Sequence, residues 1–166
     1  MDVRAEISYP TATVERVFAL ATDPAFRSAV CEATGALSHD VDVDARADAT
    51  VAVTVRRTMP ADVPEFAKKF VGQTIDVVQT EHWGSPDDLG QRTAELVVQI
   101  AGKPARMTGS VATHAVGAGA KTTIRGDLKV SIPFVGKQLE PEIARAILAA
   151  VDKEQQTADQ WLGEPA

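Results

Sequence analysis

A single cysteine, Cys31, leaves the chain with no internal disulfide and no cysteine cluster for zinc or an iron–sulfur centre. Aromatic residues make up only 5% of the sequence, so any cavity would be walled mainly by small aliphatic groups, which disfavours stacking on nucleobases. Positive charge is also scarce: 17 Lys and Arg stand against 23 Asp and Glu, giving a net charge of −6 and a pI near 5.0. Such a field repels phosphate backbones and anionic membrane surfaces, so no nucleic-acid partner is expected. No run approaches the ~20 apolar residues of a membrane-spanning helix, and stable membrane insertion is not expected. Met1–Asp2–Val3–Arg4 is charged where a signal peptide needs an apolar core, which makes the cytoplasm the expected location. His39, His82 and His114 fall on separate predicted strands, with no HxH, HExxH or paired-Cys spacing, so neither a metal nor another cofactor is expected.

What the chain has is a high share of small apolar residues. At 45% hydrophobic content and a mean hydropathy near zero, residues 1–166 are expected to form one globular domain with a real core. Val3, Ala5, Ile7 and Tyr9 alternate with Arg4, Glu6 and Ser8, the period of a strand buried on one face. Pro10 ends that strand. Val14, Val17, Phe18 and Ala21 then recur at helical spacing, and Asp23–Pro24 opens a second short helix carrying Phe26, Ala29, Val30 and Ala33. Two strands follow, roughly 36–44 and 50–58. A short helix is expected next, with Asp62 as cap, Glu65 completing a capping box, Gly72 as terminator, and Phe66 and Phe70 sharing one face. Four more strands are predicted at about 73–83, 91–100, 105–116 and 121–133, separated by turn residues such as Gly84–Ser85–Pro86 and Gly117–Ala118–Gly119. The short connections imply antiparallel neighbours.

The last stretch, Gly136 to Leu162, predicts one helix of about 38 Å at about 1.5 Å per residue. Glu140 and Glu142 are expected in its first turn with Pro141, and Gly163 and Pro165 should stop it. Leu139, Ile143, Ala146, Ile147, Ala150, Ala158 and Trp161 project into one sector, widened by Ala144, Leu148, Val151 and Leu162. An apolar arc this broad implies a helix gripped from more than one side. Glu154 falls inside the arc. Either the sheet has ended there and Glu154 reaches solvent, or it lies under the sheet and needs a partner, water or a proton.

The element order is strand, two helices, two strands, a short helix, four strands and a long helix. It fits an α+β helix-grip fold, a seven-stranded, mainly antiparallel curved sheet wrapped around the C-terminal helix. Tyr9–Pro10 running into Val14, Val17 and Phe18, Asp23–Pro24, Glu81–His82–Trp83–Gly84, Gly102–Lys103–Pro104, and Ile132–Pro133–Phe134–Val135–Gly136 leading to Trp161–Leu162 all support this reading. On these segments the chain resembles the START-like, polyketide-cyclase-like (SRPBCC) superfamily, and within it an uncharacterised bacterial START-like family.

That resemblance implies a cavity between sheet and helix that holds a small hydrophobic molecule such as a lipid, sterol or polyketide. Inward alternation and helix phase select Phe66, Phe70, Val77, Trp83, Met107, Phe134, Ile143, Ile147 and Glu154 as candidate lining residues. Phe66 and Phe70 could equally pack in the core, and Trp83 and Trp161 could plug an end of the space rather than line it. His82 and Trp83 are adjacent on a strand, so at most one faces inward. Two other readings stay open: a cyclase-, aromatase- or dehydratase-like enzyme using Glu154 with His82 or His114, and an interaction module with a closed interior.

Overall fold

The computed structural model describes residues 1–163, and the predicted stop at Pro165 lies outside them. Its elements are β1 (Asp2–Tyr9), α1 (Val14–Ala21), α2 (Pro24–Ala33), β2 (Ser38–Ala45), β3 (Val51–Pro60), α3 (Glu65–Val71), β4 (Thr74–Trp83), β5 (Arg92–Ile100), β6 (Ala105–Val116), β7 (Gly119–Val130) and α4 (Gly136–Leu162). One seven-stranded sheet runs β1-β7-β6-β5-β4-β3-β2, with every neighbouring pair antiparallel. This is the α+β helix-grip arrangement, with α4 lying across the inner face.

Local chemistry sets the helix starts. Thr13 accepts a hydrogen bond from the Arg16 N–H to cap α1, and Asp23 accepts one from the Ala25 N–H to cap α2, where Pro24 occupies the first turn. In α3 the expected cap is absent. The helix starts at Glu65 after Pro64, with no side-chain cap bond, so Asp62 lies too far upstream to serve. β7 ends at Val130, earlier than the alternation suggested, because Ser131 to Val135 turn the chain into α4.

α4 departs from expectation in two further ways. It starts at Gly136, so its first turn contains no acidic residue and Pro141 sits inside the helix. Glu140 is buried instead: its Oε1 accepts from the Val130 N–H at 3.3 Å, and its Oε2 lies 3.9 Å from the Met1 ammonium and 3.7 Å from Lys137 Nζ. It therefore ties the helix to the end of β7 and to Met1, just ahead of β1. The buried seam is also narrower than the apolar arc. Leu139, Ala144, Val151 and Ala158 are inside with Glu140 and Thr157, while Leu148 and Trp161 are exposed and Ala146 faces outward. The sheet covers one side of α4, which leaves the flank of the arc to solvent.

Three apolar clusters fill the interior. One lies under β3–β6 around Val53, Trp83, Leu96 and Met107; a second joins β1, α1, α2 and the C-terminal half of α4; a third sets Ala67 of α3 against Ile100, Val130 and Leu139. Phe18 meets the Trp83 ring edge-on at 5.5 Å, and Phe26 does the same with Trp161 at 5.6 Å. At the open edge of β1, the Gln155 side chain accepts from the Ser8 N–H at 2.8 Å and donates to the Ser8 carbonyl at 2.9 Å. A helix side chain thus fills the place of a further strand and fixes α4 against the sheet.

Candidate functional site

Between the concave sheet and the α1, α2 and α4 helices lies a cavity of about 80 Å³. Strand alternation supplies Val55, Leu96, Val98, Met107, Val111 and Ile124 to its wall, and α4 contributes Ile147, Ala150 and Val151. These groups make most of the wall aliphatic.

The remainder is polar and unusually well ordered. Gln79, Glu81 and Trp83 recur at every second position of β4 and face inward together. Glu81 is buried and saturated: Oε1 accepts from Arg27 Nη2 and from Gln79 Nε2, each at 2.7 Å, and Oε2 accepts from Trp83 Nε1 at 2.9 Å. Arg27, also buried, reaches in from α2 one position beyond Phe26 and stands between two carboxylates. Its Nη1 lies 3.7 Å from Glu154 Oε1, an ion pair too long for a direct hydrogen bond. Tyr9 and the hydrogen-bonded hydroxyls of Thr113 and Thr122, 2.8 Å apart, extend the polar region towards β1 and β7. Arg57 and Cys31 complete it on the side of β3 and α2.

Burial acts on the titration of Glu154, Tyr9, Arg27 and Cys31. It raises the Glu154 pKa above its ordinary 4.5; Arg27 and Arg57 oppose that rise and Glu81 adds to it. Burial and the nearby Glu154 carboxylate push the Tyr9 phenol well above its usual range. For Arg27, burial would lower the pKa, but Glu81 and Glu154 more than offset it and keep the guanidinium charged. Burial also raises the Cys31 thiol, despite the Arg57 guanidinium beside it. Glu154 retains 19% of its side-chain surface although protein encloses it, because it borders the cavity.

Of the residues expected at the cavity, Trp83, Met107, Ile147 and Glu154 line it. Val77 follows the same alternation as Gln79 but does not border the cavity; it pairs with Arg57 on one side and Ile100 on the other, nearer the start of β4. Ile143, one turn before Ile147, packs into solid core. Phe66 and Phe70 are displaced because α3 buries Ala67 and Val71 instead, leaving Phe66 42% exposed. Phe134 is fully exposed on a residue with φ of 70°, in the turn that leads into α4. His82 lies on the outer face and His114 is half-buried; neither borders the cavity. Sequence reasoning missed Tyr9, Arg27, Arg57, Gln79 and Glu81. The spacing of Glu81 two residues before Trp83, and of Tyr9 at the end of the inward series of β1, carried a usable signal for two of them.

Solved structures share this architecture at low identity. TTHA0849 from Thermus thermophilus superposes with a TM-score of 0.60 at 19% identity, covering 96% of this chain and 95% of its own. A STAR-related lipid transfer protein from Xanthomonas axonopodis gives 0.57 at 15%, covering 92% and 82%. A norcoclaurine synthase from Thalictrum, in complex with a transition state analogue, gives 0.55 at 11%, covering 96% and 95%. The fold is therefore START-like. No curated protein matches the sequence. The family model described as "Protein of unknown function (DUF2505)" matches residues 4–162, and the chain belongs to that family.

Proposed function

We propose that this protein binds a small hydrophobic molecule in the cavity between the sheet and α4, and so carries or sequesters it. The observation that supports this reading is the void itself: it lies between the sheet and the helices in an otherwise packed core, and is lined mainly by aliphatic groups with a minority of polar ones. Such sites gain affinity from apolar burial and orientation from the polar groups. The volume argues for a modest ligand. About 80 Å³ is well below the about 300–1,000 Å³ of drug-sized pockets, so a sterol, polyketide or long lipid would require α4 to move off the sheet. The lipid-transfer protein and the synthase share only the fold at their low identities, so the cavity carries the argument.

Native mass spectrometry of the purified protein, followed by NMR titration of the stripped form with toluene and with a fatty acid, tests the proposal. Toluene should bind, and Ile147→Trp, which fills the void, should abolish binding in a protein that remains folded. Fatty-acid binding would extend the class to lipids. No co-purified molecule and no toluene binding up to about 1 mM would overturn the reading. Glu154 beside Tyr9 at the cavity also supports an acid/base enzyme as a second reading. Conversion of a bound ligand over time would favour it.

A further inference from the structure

The polar groups of the cavity specify more than an apolar guest, an inference that rests on the ligand-binding reading above. Glu81 has donors on both oxygens, whereas no hydrogen bond to the Glu154 carboxyl forms among the described residues. Arg27 Nη1 faces it across 3.7 Å. This leaves a donor and an acceptor that border the same void without bonding each other. We propose that the cavity takes a small neutral molecule with an apolar body and a single hydroxyl, an alcohol or phenol, whose oxygen sits between Arg27 and Glu154.

Geometry and valence both favour this group. An oxygen about 2.8 Å from each of two atoms can lie between partners at the observed spacing. A guanidinium only donates and an ionised carboxylate only accepts, while a hydroxyl does both and satisfies each. Other headgroups leave a defect. A ligand carboxylate would pair with Arg27 but face Glu154 and Glu81; an ammonium would suit Glu154 but face Arg27 and Arg57. A ketone offers Glu154 no donor, and a hydrocarbon leaves both groups unmet. The apolar body would lie against Leu96, Met107, Ile147 and Val151. A cavity of about 150 Å³ accepts benzene. The present void, at about 80 Å³, takes a short alcohol directly, and a ring once the flexible Met107 side chain swings aside.

Phenol and toluene, near-isosteric probes, test the assignment by NMR titration against wild type, Glu154→Leu and Glu154→Gln. Glu154→Leu should weaken phenol relative to toluene by about tenfold, since a hydrogen-bond partner is lost while the apolar wall remains. Glu154→Gln, which keeps an acceptor, should stay within about threefold of wild type. If Glu154→Leu fails to fold, Glu154→Met supplies the same comparison. An unchanged phenol-to-toluene ratio, or tighter wild-type binding of benzoate or benzylammonium than of phenol, overturns the hydroxyl assignment but leaves the cavity-binding reading intact. If neither toluene nor phenol binds, both readings fall.

Discussion

Arg27 of α2 and Glu81 of β4, 54 residues apart in sequence, form a buried ion pair with Nη2 2.7 Å from Oε1. Removing one member leaves an uncompensated charge inside the protein. Arg27→Met should therefore lose about 3–5 kcal/mol in urea-induced unfolding. Adding Glu81→Leu should recover much of that loss, since the pair is replaced by apolar volume. An Arg27→Met loss under about 1 kcal/mol would mean that Gln79 and Trp83 alone hold Glu81.

Glu154 should make stability fall as pH rises. Burial places its folded-state pKa above 4.5, with Arg27, Arg57, Glu81 and Tyr9 as the groups around it. Between the unfolded and folded values the native protein keeps a proton that the unfolded chain has released. The resulting stabilisation is complete below the unfolded value and is lost as pH rises through the folded one. Glu154→Gln should thus gain stability relative to wild type as pH rises from the unfolded value through the folded one. A difference that stays constant across that range would place the carboxyl in an ordinary environment.

Gly126 makes room for Met107. A Cβ on Gly126 would fall 2.6 Å from Met107 Cγ and 2.7 Å from its Sδ. Gly126→Ala should displace the methionine towards the void, costing about 1–3 kcal/mol in thermal unfolding and weakening toluene binding. Unaltered toluene affinity would show that Met107 finds space elsewhere.

The fold was legible because its signals are periodic. The alternation of β1 and the helical spacing of α4 each extend over enough residues to average out exceptions. Glu154 was legible for the same reason, as a carboxyl breaking a 27-residue pattern. Phe66 and Phe70 misled because a seven-residue helix is too short for its phase to be fixed by two aromatics, and the close-packed Ala67 decides which side turns inward. Arg27 was invisible for a deeper reason. An arginine on a short helix reads as a surface residue until its partner arrives from β4, and that pairing exists only in the folded chain.

Leu139 and Leu148 both lie on α4, but only Leu139 is inside the grip, at 1% exposure against 39%. Leu139→Ala should cost about 2–5 kcal/mol. Leu148→Ala should cost less than about 0.5 kcal/mol. Equal costs by denaturant unfolding would contradict the narrow buried seam.

The most direct test of the cavity as a ligand site is an isotope-filtered NOE experiment on the protein saturated with toluene. Cross-peaks should run from the ring to the methyl groups of Met107, Ile147, Leu96 and Val111, which surround the void. Cross-peaks confined to the exposed rings of Phe66 and Phe134, with none to those methyl groups, would show surface adsorption and contradict the account.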